Sequence, residues 1–176
     1  MSNVSSDSAI IQTYNKIRAS LPVPGLIVVL EIAADVTRLV TTFPGAPVSV
    51  LVLPIGALKT SSSFFHTHPP TPAEVENAIN FIEDELMKIV KQIAPGSQVY
   101  TSDPVIKQIA SMADGVMPGQ SLSRESLERL FGRFADISMG APARSAGFSF
   151  DSAWAAVLLI LREVMHHLNF ESIAII

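Results

Sequence analysis

The apolar positions change period along the first third of the chain. Four residues fall on one side of a helix predicted over residues 8–21: Ile10, Ile11, Tyr14 and Ile17. Three short apolar runs rich in β-branched residues follow, at Leu26–Ile32, Val36–Phe43 and Val48–Leu53. The first of these runs is continuous, which is typical of a strand buried on both faces. Three closely spaced strands predict an antiparallel meander.

The rest of the chain alternates between helical patterns and short strands. Thr71-Pro72-Ala73-Glu74 has the composition of a helix start, and apolar residues at steps of three and four continue to Ile93. Asp103-Pro104 predicts a second helix start by the same logic. Two further helices are predicted over Leu122–Ile137 and roughly Phe150–Leu168, and short strands over Gln98–Thr101 and Ser172–Ile176. This order predicts an α/β layer architecture in a single domain, residues 1–176, with the N-terminal helix preceding a core over residues 26–176.

Composition and charge exclude several classes of protein. The formal net charge is −4 and the 12 Lys and Arg residues are scattered, which argues against a nucleic-acid partner. The chain has no cysteine, so disulfides and thiol catalysis are excluded. It has neither a leader pattern nor an apolar run of membrane-spanning length, so we expect a cytoplasmic protein without a membrane partner. Charged residues make up only 16% of the chain, below the usual quarter, which predicts that part of the surface is covered.

Several segments, in order, resemble the exopolyphosphatase/guanosine pentaphosphate phosphatase (Ppx/GppA) family. The strand end and turn Leu53-Pro54-Ile55-Gly56-Ala57-Leu58-Lys59 resembles that family's Leu-Pro-Leu-Gly-Ala segment. The order and spacing of other segments are also similar, namely Phe64-Phe65, Pro69-Pro70, Glu83-Asp84-Glu85-Leu86, Leu127–Ile137 and Gly147–Phe170. The resemblance extends from about Tyr14 to Ile176.

The resemblance implies a ribonuclease-H-like domain of the actin-like ATPase superfamily, with a mixed five-stranded sheet flanked by helices. Proteins of this family have two such domains, and their site lies in the cleft between them. This chain resembles the second domain only. The first domain, which supplies the family's catalytic glutamate, is unmatched, so half of the cleft is expected to be missing.

The two phosphate loops that the resemblance identifies depart from the family pattern. Glu31–Arg38 stands where the family has Asp-Ile-Gly-Gly-Gly-Ser-Thr-Glu, and the second, glycine-rich loop corresponds to residues 100–104. Glycine in such loops permits positive φ and a close approach of backbone N–H groups to phosphate, whereas this chain places alanines and two aspartates there. Eight positions are the candidate binding residues, expected to be disabled for polyphosphate and nucleotide: Glu31, Ala33, Ala34, Asp35, Thr37, Thr101, Ser102 and Asp103.

Two metal-binding alternatives remain open at this point. Glu31 stands where the family's aspartate helps to hold a metal. His66-Thr67-His68-Pro69 resembles the zinc-ligand motif of the JAB1/MPN metalloproteases, in which Glu31 would be the third ligand. The Ser-x-x-Asp that those enzymes also need is absent, since Glu76 and Ile79 occupy its positions. The expectation is therefore no metal and no cofactor, with Mg²⁺ only if phosphatase activity persists.

The function expected from the sequence is that of a stand-alone, catalytically degenerate relative of the family's second domain, acting by binding or association and having no catalytic residues. One alternative is a phosphoanhydride hydrolase for polyphosphate or guanosine pentaphosphate, completed by dimerisation or by a separately encoded first-domain partner. The other is the zinc metalloprotease. The scarcity of charge favours a homodimer.

Overall fold

The computed structural model describes residues 2–21, 25–43, 45–142 and 151–176, and the predicted helix start at Phe150 lies outside these ranges, as does Gly147. The described residues form six α-helices and six β-strands. The helices are α1 Ser2–Ser20, α2 Ala57–Phe64, α3 Pro72–Met87, α4 Pro104–Asp114, α5 Arg124–Ser138 and α6 Ser152–His167. The strands are β1 Ile27–Ile32, β2 Thr37–Thr41, β3 Ser49–Leu53, β4 Gln98–Thr101, β5 Ser121–Ser123 and β6 Ser172–Ile175.

The strands form one mixed sheet in the order β3-β2-β1-β4-β6-β5. β1, β2 and β3 form the predicted antiparallel meander, while β4 runs parallel to β1 and β6 runs parallel to β4. The parallel pairs place the carboxyl ends of β1 and β4 side by side, and loops at such ends are where α/β sheets bind ligands. The sheet therefore brings the two predicted phosphate loops together.

The predicted number of strands was wrong by one. β5 pairs antiparallel with β6 at the edge of the sheet and makes it six-stranded. β5 has three residues, and the prediction assigned Leu122 to the following helix, which begins at Arg124. Leu122 is fully buried in the core, so its apolar character fitted the helical pattern equally well.

The two faces of the sheet are covered differently. Alternate residues of β1, namely Val28, Leu30 and Ile32, face a main core that the sheet forms with the later helices. Helix α6 is buried in this core along most of its length, as its apolar sequence predicted. The residues between them, Ile27 and Val29, face α1. No helix in the described ranges is long and apolar enough to cross a membrane.

Helix α1 packs on one face of the sheet and covers only the half of that face that β1 and β2 form. Its buried residues Ile10, Tyr14 and Ile17 form a small separate core with Ile27, Val29 and Val40. The other half of this face is a shallow recess of about 490 Å³, and most of its lining residues are polar or small, including Gln98, Tyr100, Ser121, Ser172 and Ala174. Helix α1 thus covers half of one face of the sheet.

Candidate functional site

Asp103 closes the N-terminus of α4. Its Oδ1 accepts hydrogen bonds from the backbone N–H groups of Val105 (2.8 Å) and Ile106 (3.2 Å), and its Oδ2 accepts one from the N–H of Ile32 at 3.2 Å. A helix N-terminus can bind an anion because its first N–H groups lack partners within the helix. Here a buried carboxylate of the same chain occupies that position and ties α4 to the end of β1.

The turn between β1 and β2 has a conformation that alanine tolerates. The N–H of Ala33 donates to the carbonyl of Val36 at 2.9 Å, which closes the turn. Within the described ranges, positive φ occurs at Asn169 and at five glycines, and at none of residues 33–36. A phosphate-binding nest requires successive N–H groups around a left-handed residue. The turn lacks the positive φ on which such a nest depends.

The same turn also saturates the start of α2. The carbonyl of Ala33 accepts from the N–H of Ala57 at 2.9 Å, and the carbonyl of Ala34 accepts from those of Leu58 (2.9 Å) and Lys59 (3.0 Å). These N–H groups are ones that an anion at the helix N-terminus would need. Backbone oxygens of the turn already hold them.

Gly56 makes this contact between turn and helix sterically feasible. A Cβ atom at position 56 would lie 2.5 Å from both the carbonyl carbon of Asp35 and the backbone nitrogen of Val36. Real Cβ atoms do not approach backbone so closely, and the position therefore requires glycine. The sequence indicated Gly56 only as part of a family motif, and its role in docking the turn was not predicted.

Glu31 is paired with a buried arginine. Glu31 and Arg38 are opposite each other in the β1–β2 register, and Arg38 Nη1 donates to Glu31 Oε2 at 3.1 Å. Arg38 Nε donates to Asp7 Oδ1 of α1 at 3.0 Å, and Arg38 is only 5% exposed. Arg38 was not predicted to be a site residue, although the short hairpin already places it opposite Glu31.

These contacts do not fit the metal that the family implies. Mg²⁺ binds carboxylate oxygens and keeps several waters, so it needs acidic groups that are free of competing cations. A guanidinium faces Glu31, and both oxygens of Asp103 accept N–H hydrogen bonds. The site residues therefore do not form a magnesium site in this arrangement.

The candidate residues do not all lie together. Glu31, Ser102 and Asp103 line one recess of about 160 Å³, which Ala9, Ile10 and Thr13 of α1 border. Asp35 lies elsewhere, in an open groove beside Lys59. Thr37 and Thr101 are buried, and their hydroxyls donate to the carbonyls of Ile55 (2.7 Å) and Leu30 (2.9 Å). The structure therefore brings three of the eight candidate residues to one recess.

The His66–His68 segment is not part of this recess. Both side chains are exposed, and His68 Nδ1 lies 3.0 Å from the hydroxyl of Ser152. Among the described residues, the sets of acidic and histidine side chains within ligand distance of one another do not include Glu31 with His66 and His68. The ligand set of the metalloprotease alternative is not assembled.

Glu74 holds this segment to the start of α3. Its carboxylate accepts from the Thr67 hydroxyl (2.6 Å), the Thr71 N–H (2.7 Å) and the His66 N–H (2.9 Å), and it completes the predicted capping box with Thr71. The hydroxyl of Thr67, followed by the N–H of Thr71, lowers the pKa of Glu74 to about 2. The carboxylate thus acts as a clamp on the loop.

A further group of charges lies between α5 and α6, apart from both loops. Arg162 pairs with Glu128 and with the buried Glu163, and its guanidinium stacks on Phe131 at 4.5 Å from the ring centre. Burial raises the pKa of Glu163, although the positive charge of Arg162 opposes that shift. This group of charges was not predicted from the sequence.

Comparison with known proteins gives one family and one fold. A model of the Ppx/GppA phosphatase family matches residues 6–176, and no curated protein matches the sequence. A PPX-GPPA enzyme of Aquifex aeolicus matches 92% of this chain and 57% of its own length, with a TM-score of 0.73 and 22% identity. An exopolyphosphatase of Cytophaga hutchinsonii matches 91% of this chain and 56% of its own, with a TM-score of 0.63 and 13% identity.

These similarities confirm the predicted family resemblance and the predicted α/β fold, with the sheet extended to six strands. At identities of this level the solved structures bear on the fold alone. The chain spans little more than half the length of these relatives, and the match is to their C-terminal domain.

Proposed function

The chain belongs to the Ppx/GppA phosphatase family, and we propose that it is a catalytically degenerate member that acts by binding or association. The observation that carries this proposal is the position of Asp103, whose carboxylate fills the N-terminus of α4. A phosphate there would have to displace a carboxylate that accepts three backbone hydrogen bonds. It would also meet the negative charge of that carboxylate in a partly desolvated recess.

The pairing of Glu31 gives independent support. A Mg²⁺ ion at Glu31 would compete with the guanidinium of Arg38, which is buried between Glu31 and Asp7. Leaving a buried guanidinium without one of its partners costs free energy. Metal binding at Glu31 is therefore opposed by the packing of α1.

Hydrolysis of polyphosphate and of guanosine pentaphosphate in the presence of Mg²⁺ tests the proposal directly. We expect phosphate release at the level of a protein-free blank. Degeneracy would be contradicted by phosphate release well above the blank, provided that Glu31→Ala abolishes this release and that Glu76→Ala, on the exposed face of α3, leaves it intact. Glu76 is the matched control because it is a glutamate outside the recess.

The alternative is a hydrolase whose second half comes from another subunit or from a separate first-domain protein. The recess beside Glu31 and Ser102 favours it, since about 160 Å³ offers room for a phosphoryl group. This alternative predicts a phosphate or metal near Glu31, Thr37 and Ser102. Titration with inorganic phosphate and with Mg²⁺, followed by backbone NMR shifts, separates the two: we expect no saturable shift at these residues.

Association as a homodimer is the second part of the proposal. β3 is an edge strand, and exposed apolar side chains flank or lie on it at Phe43, Val48 and Val52. Exposed edges with apolar residues favour pairing with another chain. A two-fold symmetric dimer is the commonest way of covering such an edge.

A further inference from the structure

Three metal-ligating side chains converge where α3 packs against α6. Glu83 belongs to α3, and Glu163 and His167 lie one turn apart on α6, so that they share a face. His167 Nε2 lies 3.0 Å from Glu83 Oε1 and 3.3 Å from Glu163 Oε2. One ligand atom from each residue lies within 4.8 Å of the other two.

The separations in this cluster match those of atoms that share one metal ion. Ligands bound tetrahedrally to zinc at about 2.1 Å lie roughly 3.4 Å from one another. The two separations from His167 Nε2 are 3.0 and 3.3 Å, and the ligand atoms of Glu83 and Glu163 lie within 4.8 Å of each other.

The two carboxylates of this cluster also favour a bound cation. A ring nitrogen and two carboxylate oxygens are all acceptors unless a proton or a metal ion lies between them. Glu128 and Glu163 both pair with the guanidinium of Arg162, whereas Glu83 contacts the imidazole of His167. Glu163 is 1% exposed, and Arg162 compensates its charge through Oε1, which leaves Oε2 facing His167. A divalent ion bound here would add positive charge between the Glu83 carboxylate and Oε2 of Glu163.

The cluster is accessible from solvent on one side. The side chains of Glu83 and His167 are 39% and 20% exposed, so an ion can reach them without opening the core. Three protein ligands leave a fourth tetrahedral position for water.

We propose that Glu83, Glu163 and His167 form a divalent transition-metal site, for which zinc is the best-suited ion, and that the bound ion joins α3 to α6. One imidazole nitrogen with two carboxylate oxygens suits zinc, whereas Mg²⁺ prefers six oxygen ligands and keeps its waters. This site is separate from the loops after β1 and β4, so it does not depend on the outcome of the phosphatase assay.

Calorimetric titration of the chelator-treated full chain with Zn²⁺ at neutral pH tests this site. We expect one equivalent of Zn²⁺ to bind and Mg²⁺ not to compete with it. Glu83→Gln and His167→Gln are the informative variants because both side chains are partly exposed, whereas Glu163 is also held by Arg162. Each should weaken binding at least about tenfold. Zn²⁺ should also raise the melting temperature of the native chain, whereas it should leave that of either variant unchanged.

His66→Gln and His68→Gln are the matched controls, since both histidines are exposed and lie outside the cluster. They should bind Zn²⁺ as the native chain does. Three results would each overturn the proposal: an absence of Zn²⁺ binding, binding that survives both cluster variants, or binding that a control variant abolishes. If Zn²⁺ does not bind, hydrogen bonds from His167 Nε2 to Glu83 and Glu163 account for the cluster.

Discussion

Gly56 shows at the scale of one residue how the site is held in its present form. We expect Gly56→Ala to lower the free energy of unfolding by about 3 kcal/mol, because the added methyl group would overlap the backbone of residues 35 and 36. Urea denaturation measures the change. Gly132→Ala is the control: position 132 lies in α5 with nothing within 4 Å of the new Cβ, so alanine there should raise stability by about 0.5–1 kcal/mol. Equal stability of the two variants would contradict the close approach.

Glu74 gives a prediction about pH. Its pKa in the folded chain, about 2, is below the ordinary value of 4.5, so the unfolded chain takes up the proton first as the pH falls. The clamp therefore contributes its full stability above about pH 4.5 and loses it progressively down to about pH 2. Glu74→Gln should make stability less dependent on pH in this window.

Thr67→Val provides the direct test of the cause. Removal of the Thr67 hydroxyl, the largest contribution, should raise the pKa of Glu74 in an NMR titration. Glu76→Gln, an exposed change on the same helix, should alter neither the pKa nor the acid limb. An unchanged pKa in Thr67→Val would show that the backbone donors alone hold the clamp.

At the scale of elements, α1 is attached to the sheet through a small core and a buried charge. Arg38 connects Asp7 of α1 to Glu31 of β1, and its side chain is 7% exposed. We expect Arg38→Met to accelerate hydrogen exchange of the α1 amides and to leave that of α6 unchanged, because α6 belongs to the separate main core. Mass spectrometry of exchanged fragments measures both.

The matched control for Arg38 is an arginine whose ion pair is exposed. Arg129 pairs with Glu125 on α5, and their side chains are 54% and 85% exposed. Exposed pairs of this kind contribute little to stability, so Arg129→Met should leave exchange in α1 unchanged. If both substitutions gave the same exchange in α1, the helix would be held by its apolar contacts alone.

Elements whose determinants are local in sequence could be predicted, and those with distant determinants could not. The Thr71–Glu74 capping box and the Asp103 cap each act within three residues, and both form as predicted. α2 was missed because its sequence is rich in serine and threonine and its first N–H groups depend on the distant β1–β2 turn. Likewise, Glu83 and His167 meet across 84 positions of the chain, beyond the reach of any sequence pattern.

At the scale of the whole molecule, the scarcity of charge has a partial explanation. The half of the sheet face that α1 leaves uncovered carries serine, glutamine and tyrosine side chains, which are polar without charge. Three exposed apolar side chains, Phe43, Val48 and Val52, lie on or beside the β3 edge, and we propose that a second copy of the chain pairs there.

The homodimer prediction can therefore be tested at one position. We expect light scattering to give twice the monomer mass at micromolar concentration, and Val52→Lys to shift the chain toward the monomer. Val52 is 48% exposed on β3, and lysine on an edge strand opposes pairing. Leu58→Lys, at an exposed apolar position on α2, is the control and should remain dimeric. A native chain that is monomeric at micromolar concentration would contradict the prediction.

The contact between the β1–β2 turn and α2 also limits how the molecule can move. Swinging the turn away from the helix breaks the three hydrogen bonds to Ala57, Leu58 and Lys59. At about 1 kcal/mol each, this places the open form near 3 kcal/mol, or fewer than about one molecule in a hundred. Turn and helix therefore behave as one rigid unit, and a ligand that required the turn to open would have its apparent affinity reduced by at least about a hundredfold.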